Sequence, residues 1–336
     1  MNQKKGKQSI KFDNPPYISE GCSVVGKKEG EGPMKKTFDL IEYDPLFGGK
    51  SWEEGESNLQ KKTVELLISK SFLKKDDIRY IFAGDLLGQL IATTFGLKSL
   101  RIPIFGLYGA CSTMGEAMSL AAITVSCGCA DNVIALASSH FASAEKTFRY
   151  PLDYGSQRPF SSTWTVTGCG ATIITSNKGF ARIPGITTGR IVDYGIKDPQ
   201  NMGAVMAPAA CDAIYSNFVD FDIEPEYYDK IITGDLGYVG RKILVELLNE
   251  KGYDIADRHI DCGILMFDAN TQNTNCGGSG CGCSASILCG HIYEKLRSKE
   301  WHRILFVPTG ALMSTVSFNE GKSIPGIAHC VIIESV

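Results

Sequence analysis

Between residues 102 and 137 the chain alternates short apolar runs with one longer helical pattern. Residues 102–108 are apolar and few, which predicts a covered strand. Gly109 and Ala110 then allow a close backbone bend. Met114, Ala117, Met118, Ala121, Ala122 and Val125 recur at helical spacing, and the helix is apolar nearly all round. It is therefore predicted to be buried on every side. Residues 133–137 read as the next strand, which ends in Ser138-Ser139-His140.

The same alternation runs through the rest of the chain. Residues 1–55 are irregular, with one short strand around 22–25. A helical pattern spans 52–73, and a strand over 78–83 ends in Gly84-Asp85. A second helical patch covers 89–97. Residues 141–160 form a polar excursion with Arg149 and Arg158, and 165–175 read as a strand pair bent at Gly168 and Gly170. Further on, the pattern predicts strands at 183–192, 230–233, 262–267, 303–307 and 327–333, and helices at 202–218, 243–248 and 283–296.

Three segments recur in the same order. Ile78-Arg-Tyr-Ile-Phe-Ala-Gly-Asp85 matches Asp229-Lys-Ile-Ile-Thr-Gly-Asp235. Gly109-Ala-Cys-Ser112 and its helix match Gly280-Cys-Gly-Cys-Ser284 and its helix. Thr167-Gly-Cys-Gly-Ala-Thr-Ile-Ile174 matches Gly326-Ile-Ala-His-Cys-Val-Ile-Ile333. The order predicts an α/β chain of two similar halves, 1–178 and 179–336, each with a buried helix against a mixed sheet.

Composition narrows the function classes. The 336 residues, 43% hydrophobic, suffice for large cores, and a net charge of −3 gives no basic footprint for nucleic acid. No apolar run reaches the ~18 to 20 residues of a membrane span. Residues 1–11 are polar and basic and lack the apolar stretch of a secretory signal. Twelve cysteines without such a signal predict reduced thiols in a cytosol-like compartment.

Cys111 is the first candidate for chemistry. A thiol at a helix start feels unpaired N–H groups and the positive end of the dipole, which favour the thiolate, and nucleophile elbows share this geometry. The bland reading is a small core cysteine. Cys276, Cys281, Cys283 and Cys289 lack the paired arms of a zinc site, so no metal is expected there. Residues 277–282 lack the lysine of a phosphate-binding loop and read instead as a close helix–sheet approach.

Ala83-Gly-Asp-Leu-Leu87, Gly109-Ala-Cys-Ser-Thr113, Ser138-Ser-His140, Phe148-Arg-Tyr-Pro151, Ala207-Pro-Ala-Ala210, Thr233-Gly-Asp-Leu236, Asp261-Cys-Gly263, Gly277-Gly-Ser-Gly280 and Ile324-Pro325 with Ala328-His329 carry a resemblance. Glu31-Gly-Pro33 and Ser51-Trp52 extend it over nearly the whole chain. In these segments the chain resembles the stage V sporulation protein AD family, within the thiolase-like superfamily. The resemblance implies a thiolase-like fold of two pseudo-duplicated βαβαβαββ halves in α-β-α-β-α layers. It implies a non-enzymatic role without a cofactor: binding dipicolinic acid (pyridine-2,6-dicarboxylate), with or without calcium, for uptake into the developing spore. It also implies a protein made in the cytoplasm and held at the spore inner membrane by the other stage V sporulation A membrane proteins. A homodimer through a strand of the first half's sheet is expected likewise.

Condensing enzymes of this fold, of the ketoacyl synthase III type, pair the cysteine with a histidine and an asparagine. On the matched motifs, Gly234 or Asp235 replaces the histidine and Ser279 the asparagine. A neighbouring carboxylate opposes ionisation of a thiol. The expectation is a pocket inherited from an enzyme and reused for binding. Its candidate residues are Cys111, Ser112, Ser139, His140 and Arg149 as donors and cations, with Ser279, and with Asp85 and Asp235 at matched strand ends. His259 is expected to be solvated, and His291, His302 and His329 structural. The competing readings are an acyl-transferring condensing enzyme using Cys111 and a scaffold with a vestigial pocket.

Overall fold

The computed structural model describes residues 3–148 and 158–336; Arg149 lies outside them. In the first half, β1 (Tyr17–Gly26) is followed by α1 (Trp52–Lys70), β2 (Tyr80–Gly84) and β3 (Ile104–Gly106). Next come α2 (Thr113–Ser126), β4 (Asn132–Ser139), α3 (Phe141–Glu145), β5 (Trp164–Thr165) and β6 (Gly168–Thr175). The second half runs β7 (Ala181–Thr187), α4 (Met202–Phe221), β8 (Lys230–Thr233), α5 (Gly237–Asn249), β9 (His259–Asp261) and β10 (Gly278–Ser279). It ends with α6 (Cys281–Ile287), β11 (Arg303–Val307), β12 (Thr309–Ala311), β13 (Gly326–Ala328) and β14 (Cys330–Ser335).

The strand order, β9-β8-β11-β14-β7-β1-β6-β4-β2-β3, is the repeat made visible. Read outwards from the centre, β1-β6-β4-β2-β3 and β7-β14-β11-β8-β9 have the same sequence of partners. The outer pairs are parallel and the inner ones antiparallel in both. Each of the three matched segments falls on equivalent elements: β2 with β8, α2 with α6, and β6 with β14. The halves join where β1 and β7 pair over only two residues of each strand.

Side-chain alternation sorts the apolar residues into three cores separated by the two halves of the sheet. Along β4, Val133, Ala135 and Ala137 face the central layer with α2 and α6, whereas Ile134 and Leu136 face α1. The second half's outer core lies under α4 and α5. This is the α-β-α-β-α arrangement, and it explains why α2 is apolar all round: both of its sides are covered. Ser51 caps α1 by accepting from the Glu54 N–H at 3.2 Å, with Glu53 and Glu54 in the first turn complementing the dipole. Close approach of α6 to β6 depends on glycine. A Cβ at Gly170 would stand 2.1 Å from the Ala285 carbonyl oxygen.

Three expectations need correction. The strand expected at 22–25 is ten residues long, because it runs past both ends of the apolar core of the pattern. Residues 262–266 form a short helix rather than a strand; Asp261 caps it by accepting from the Ile264 N–H, and the strand is β9 just before it. Residues 102–108 hold not a covered strand but the sheet's edge, β3, paired only to β2, with Ile104 and Phe105 about half exposed.

Candidate functional site

The elbow before α2 positions Cys111. Ala110 adopts φ 48°, an uncommon conformation for a residue with a side chain. The turn is closed by Ser112 N–H to Gly109 O at 3.0 Å and Thr113 N–H to Ala110 O at 3.2 Å. The Ser112 hydroxyl also turns back, donating to Gly109 O at 2.7 Å. Several donors expected to face a ligand are thereby used up locally.

Cys111 lies in the wall of a narrow pocket of 60 Å³, beside Tyr108, Thr147, Thr165, Ser279 and Met313. Parallel pairing of β5 with β10 sets Thr165 opposite Ser279. Behind the sulfur stands Asp235, fully buried at the end of β8. It accepts from the Gly280 N–H at 3.0 Å and from the Thr309 hydroxyl at 2.8 Å, and it stands beside the Cys111 thiol. Burial raises the Asp235 carboxyl to about 7, with the thiol and Thr309 pulling the other way. Burial pushes Cys111 well above the ordinary thiol range, and the charges of Asp235 and Cys281 add to it. The thiolate expected from the helix dipole is thus not the stable form: dehydration and a like charge outweigh the dipole.

None of the five histidines lines this pocket, and among the described residues no Asn, Gln, Lys or Arg does. His140, expected beside Cys111, is in another pocket. Its Nε2 sits 2.8 Å from the Pro45 carbonyl oxygen, and its ring lies against Trp52 and Phe47. Ser139 supports the site from behind, donating to Val166 O at 2.7 Å and accepting from the Gly282 N–H at 3.1 Å. Asp85 is committed elsewhere. It accepts from the Leu87 and Thr93 N–H groups and the Thr93 hydroxyl, within a buried network through Gln60 and Ser138 to Glu56. The structure therefore brings together Cys111, Ser279 and Asp235, with Ser112 and Ser139 as supports, and leaves His140 and Asp85 apart.

His259 is buried rather than solvated. It meets the Thr233 hydroxyl at 2.9 Å, and burial lowers its imidazole to about 3. Thr233 donates to Asp261, which in turn accepts from the Leu236 and Gly237 N–H groups and so fixes the turn carrying Asp235. His329 is buried and accepts from the Gly189 N–H at 3.2 Å. The four clustered thiols diverge. Cys281, Cys283 and Cys289 face the carbonyl oxygens of Ser138, Gly234 and Ala171, and Cys276 accepts from the Val239 N–H.

A family model described as stage V sporulation protein AD (SpoVAD) matches residues 6–334. The chain belongs to the SpoVAD family. It is 41% identical, over 330 residues, to stage V sporulation protein AD of Bacillus subtilis (strain 168), covering 98% of this chain and 97% of that protein. Its role is therefore in sporulation. In fold, this SpoVAD family member is similar to 3-oxoacyl-[acyl-carrier-protein] synthase III of Aquifex aeolicus. That match has a TM-score of 0.58 at 13% identity, over 95% of this chain and 99% of that one. It is also similar to the human mitochondrial 3-ketoacyl-CoA thiolase, with TM-score 0.57 at 12% identity, over 96% and 99%. These likenesses establish the thiolase-like fold. Sequence reasoning did not foresee Thr309, Gly280 and Asp261 around Asp235; the Gly-Asp match at the ends of β2 and β8 was the one available pointer.

Proposed function

We propose that this SpoVAD family protein is a non-enzymatic receptor for dipicolinate in spore formation, with the ligand entering the Cys111 pocket. The single observation that supports this reading is the partner of Cys111, a carboxyl where a condensing enzyme needs a base. A base that accepts the thiol proton and can carry a positive charge stabilises a thiolate, whereas a carboxyl competes with it. The Cys111 thiol, the Tyr108 and Thr165 hydroxyls and Ser279 are polar groups for the ligand's carboxylates. The pocket as it stands is smaller than a ring with two carboxylates, so entry requires a wall to yield. Met202 and Met313 supply an adaptable one. Calcium shared with the ligand fits the same reading through the ligand's own carboxylates.

Isothermal calorimetry with dipicolinate tests this. Binding is expected, with Cys111→Ala and Ser279→Ala each weakening it about three- to tenfold. Absence of binding, or affinity unchanged in both variants, rejects the reading.

We also propose a homodimer through the open edge at β3 and an inner-membrane location reached through the other stage V sporulation A proteins. No helix among the described residues is long and apolar enough to cross a membrane. Phe105→Asp places a charge on that edge and is expected to turn a sedimenting dimer into a monomer. A dimer that survives it would move the interface elsewhere.

A further inference from the structure

Ten of the twelve cysteines are buried, and two, Cys127 and Cys129, are exposed. Exposed free thiols are unusual, because cysteine is among the most buried residue types. Here the two stand together, with their Sγ atoms 3.3 Å apart.

The end of α2 brings them there. The Cys129 N–H donates to Thr124 O and the Gly128 N–H to Val125 O, each at 3.0 Å. That pair of bonds is the Schellman closure of a helix, which needs a left-handed residue just past the last turn. Gly128 is that residue, at φ 76°. The chain reverses through it, which leaves residues 127 and 129 side by side. A Cβ added at Gly128 would meet no heavy atom within 4 Å, so the turn stands in open space and has room to adjust.

The two sulfurs have few other ties. The Cys127 thiol faces Thr124 O at 3.3 Å, a carbonyl that already accepts from the Cys129 N–H. Two thiols alone do not make a zinc site, and among the described residues no three His, Cys, Asp or Glu side chains gather to hold a metal. The negative end of the helix dipole lies here and does not favour a thiolate. The hydrogen bond with Cys127, and then the charge of that neighbour, raises the Cys129 thiol above its ordinary value. One sulfur therefore ionises while the other keeps its proton. The site offers access and a second thiol already in place, the arrangement of an attacking and a resolving cysteine.

We propose that Cys127 and Cys129 form a reversible redox modification site, oxidised to an intramolecular disulfide by low-molecular-weight disulfides. The thiolate of one cysteine attacks a sulfur of the small disulfide, forming a mixed disulfide and expelling one small thiolate. The other cysteine, as thiolate, then attacks the protein sulfur of that mixed disulfide. The bond to the small molecule breaks, the Cys127–Cys129 bond forms, and the second small thiolate leaves. Two protein thiols are oxidised, one small disulfide is reduced, and the two protons end on the two released thiols. A disulfide holds its sulfurs about 2.05 Å apart, so closure draws this pair together by roughly 1.3 Å. The pair lies at the far end of the 14-residue helix α2 from Cys111, about 20 Å along its axis. It is thus separate from the dipicolinate reading, and either can fail without the other.

The test uses the full chain, incubated with glutathione disulfide, quenched in acid, alkylated in denaturant and weighed intact. At about 0.1 mM glutathione, an effective concentration on the order of 1 mM between the neighbouring thiols favours ring closure over the mixed disulfide about tenfold. The expected product is lighter than the reduced chain by two hydrogens, lacks two alkylatable thiols, and yields a Cys127–Cys129 bond on peptide mapping. Excess glutathione is expected to restore both thiols. Cys127→Ser and Cys129→Ser each remove one partner, and each is expected to hold about tenfold more glutathione on the remaining cysteine than the parent does. Full retention of all twelve alkylatable thiols in the parent overturns the proposal. So does a glutathione adduct as abundant in the parent as in Cys129→Ser, or a bond between two chains in place of the Cys127–Cys129 bond.

Discussion

Gly170→Ala is expected to abolish the folded state rather than trim its melting temperature. Gly170 lies on β6 directly under α6. The added Cβ would meet the Ala285 carbonyl oxygen at 2.1 Å and its carbon at 2.3 Å, and both are backbone atoms of a buried helix. Neither can rotate away. Relief requires α6 to lift off the sheet, opening the central core that α2, α6 and both halves of the sheet share. A clash of that kind belongs with the rare substitutions that cost more than about 4–5 kcal/mol, against a typical total of 5–15 kcal/mol. Gly88→Ala is the control. No heavy atom lies within 4 Å of its added Cβ, so its effect should stay within about 0.5 kcal/mol. Denaturant melts of both variants check this, and native-like unfolding of Gly170→Ala would refute the packing described for α6.

Asp235→Asn is expected to remove a large part of the protein's loss of stability towards neutral pH. Burial raises the Asp235 carboxyl from 3.8 to about 7 in the folded chain. The folded state thus holds this proton more tightly than the unfolded state. The resulting stabilisation is fully present below about pH 4 and is lost as pH rises through 7. Its full size is roughly 4 kcal/mol. Asparagine stays neutral throughout, so the difference in unfolding free energy between variant and parent should drift in favour of the variant from pH 4 to pH 8. Glu29, also raised to about 7 by burial, contributes the same trend to both proteins, so only the difference reports on Asp235. Parallel pH profiles for the two would mean that Asp235 is ionised in the fold.

The duplicated order was plain in the chain, because each half repeats a strand ending in Gly-Asp, a small-residue turn and a buried helix. What the pattern hid was context. Residues 102–108 are as apolar as a covered strand, but apolarity does not say whether a strand lies inside a sheet or at an open edge, and β3 is at the edge. His259 sits after Asp254, Asp257 and Arg258, which mask a three-residue strand whose ends are buried. His140 follows Ser139 directly, and successive residues at a strand end turn to opposite faces. Ser139 therefore backs the Cys111 site while His140 faces Trp52. Thr309 and Gly280 meet Asp235 from distant parts of the chain, and nothing local in the sequence signals that meeting.

The account rests on a protonated, unassisted thiol in Cys111, held against a carboxyl. Intact-mass measurement of the full chain after incubation with an acyl-coenzyme A addresses that most directly. An unchanged mass, with Cys111 unmodified on peptide mapping, is the result expected. A stoichiometric acyl adduct on Cys111 would contradict the account and return the chain to the condensing enzymes whose fold it shares.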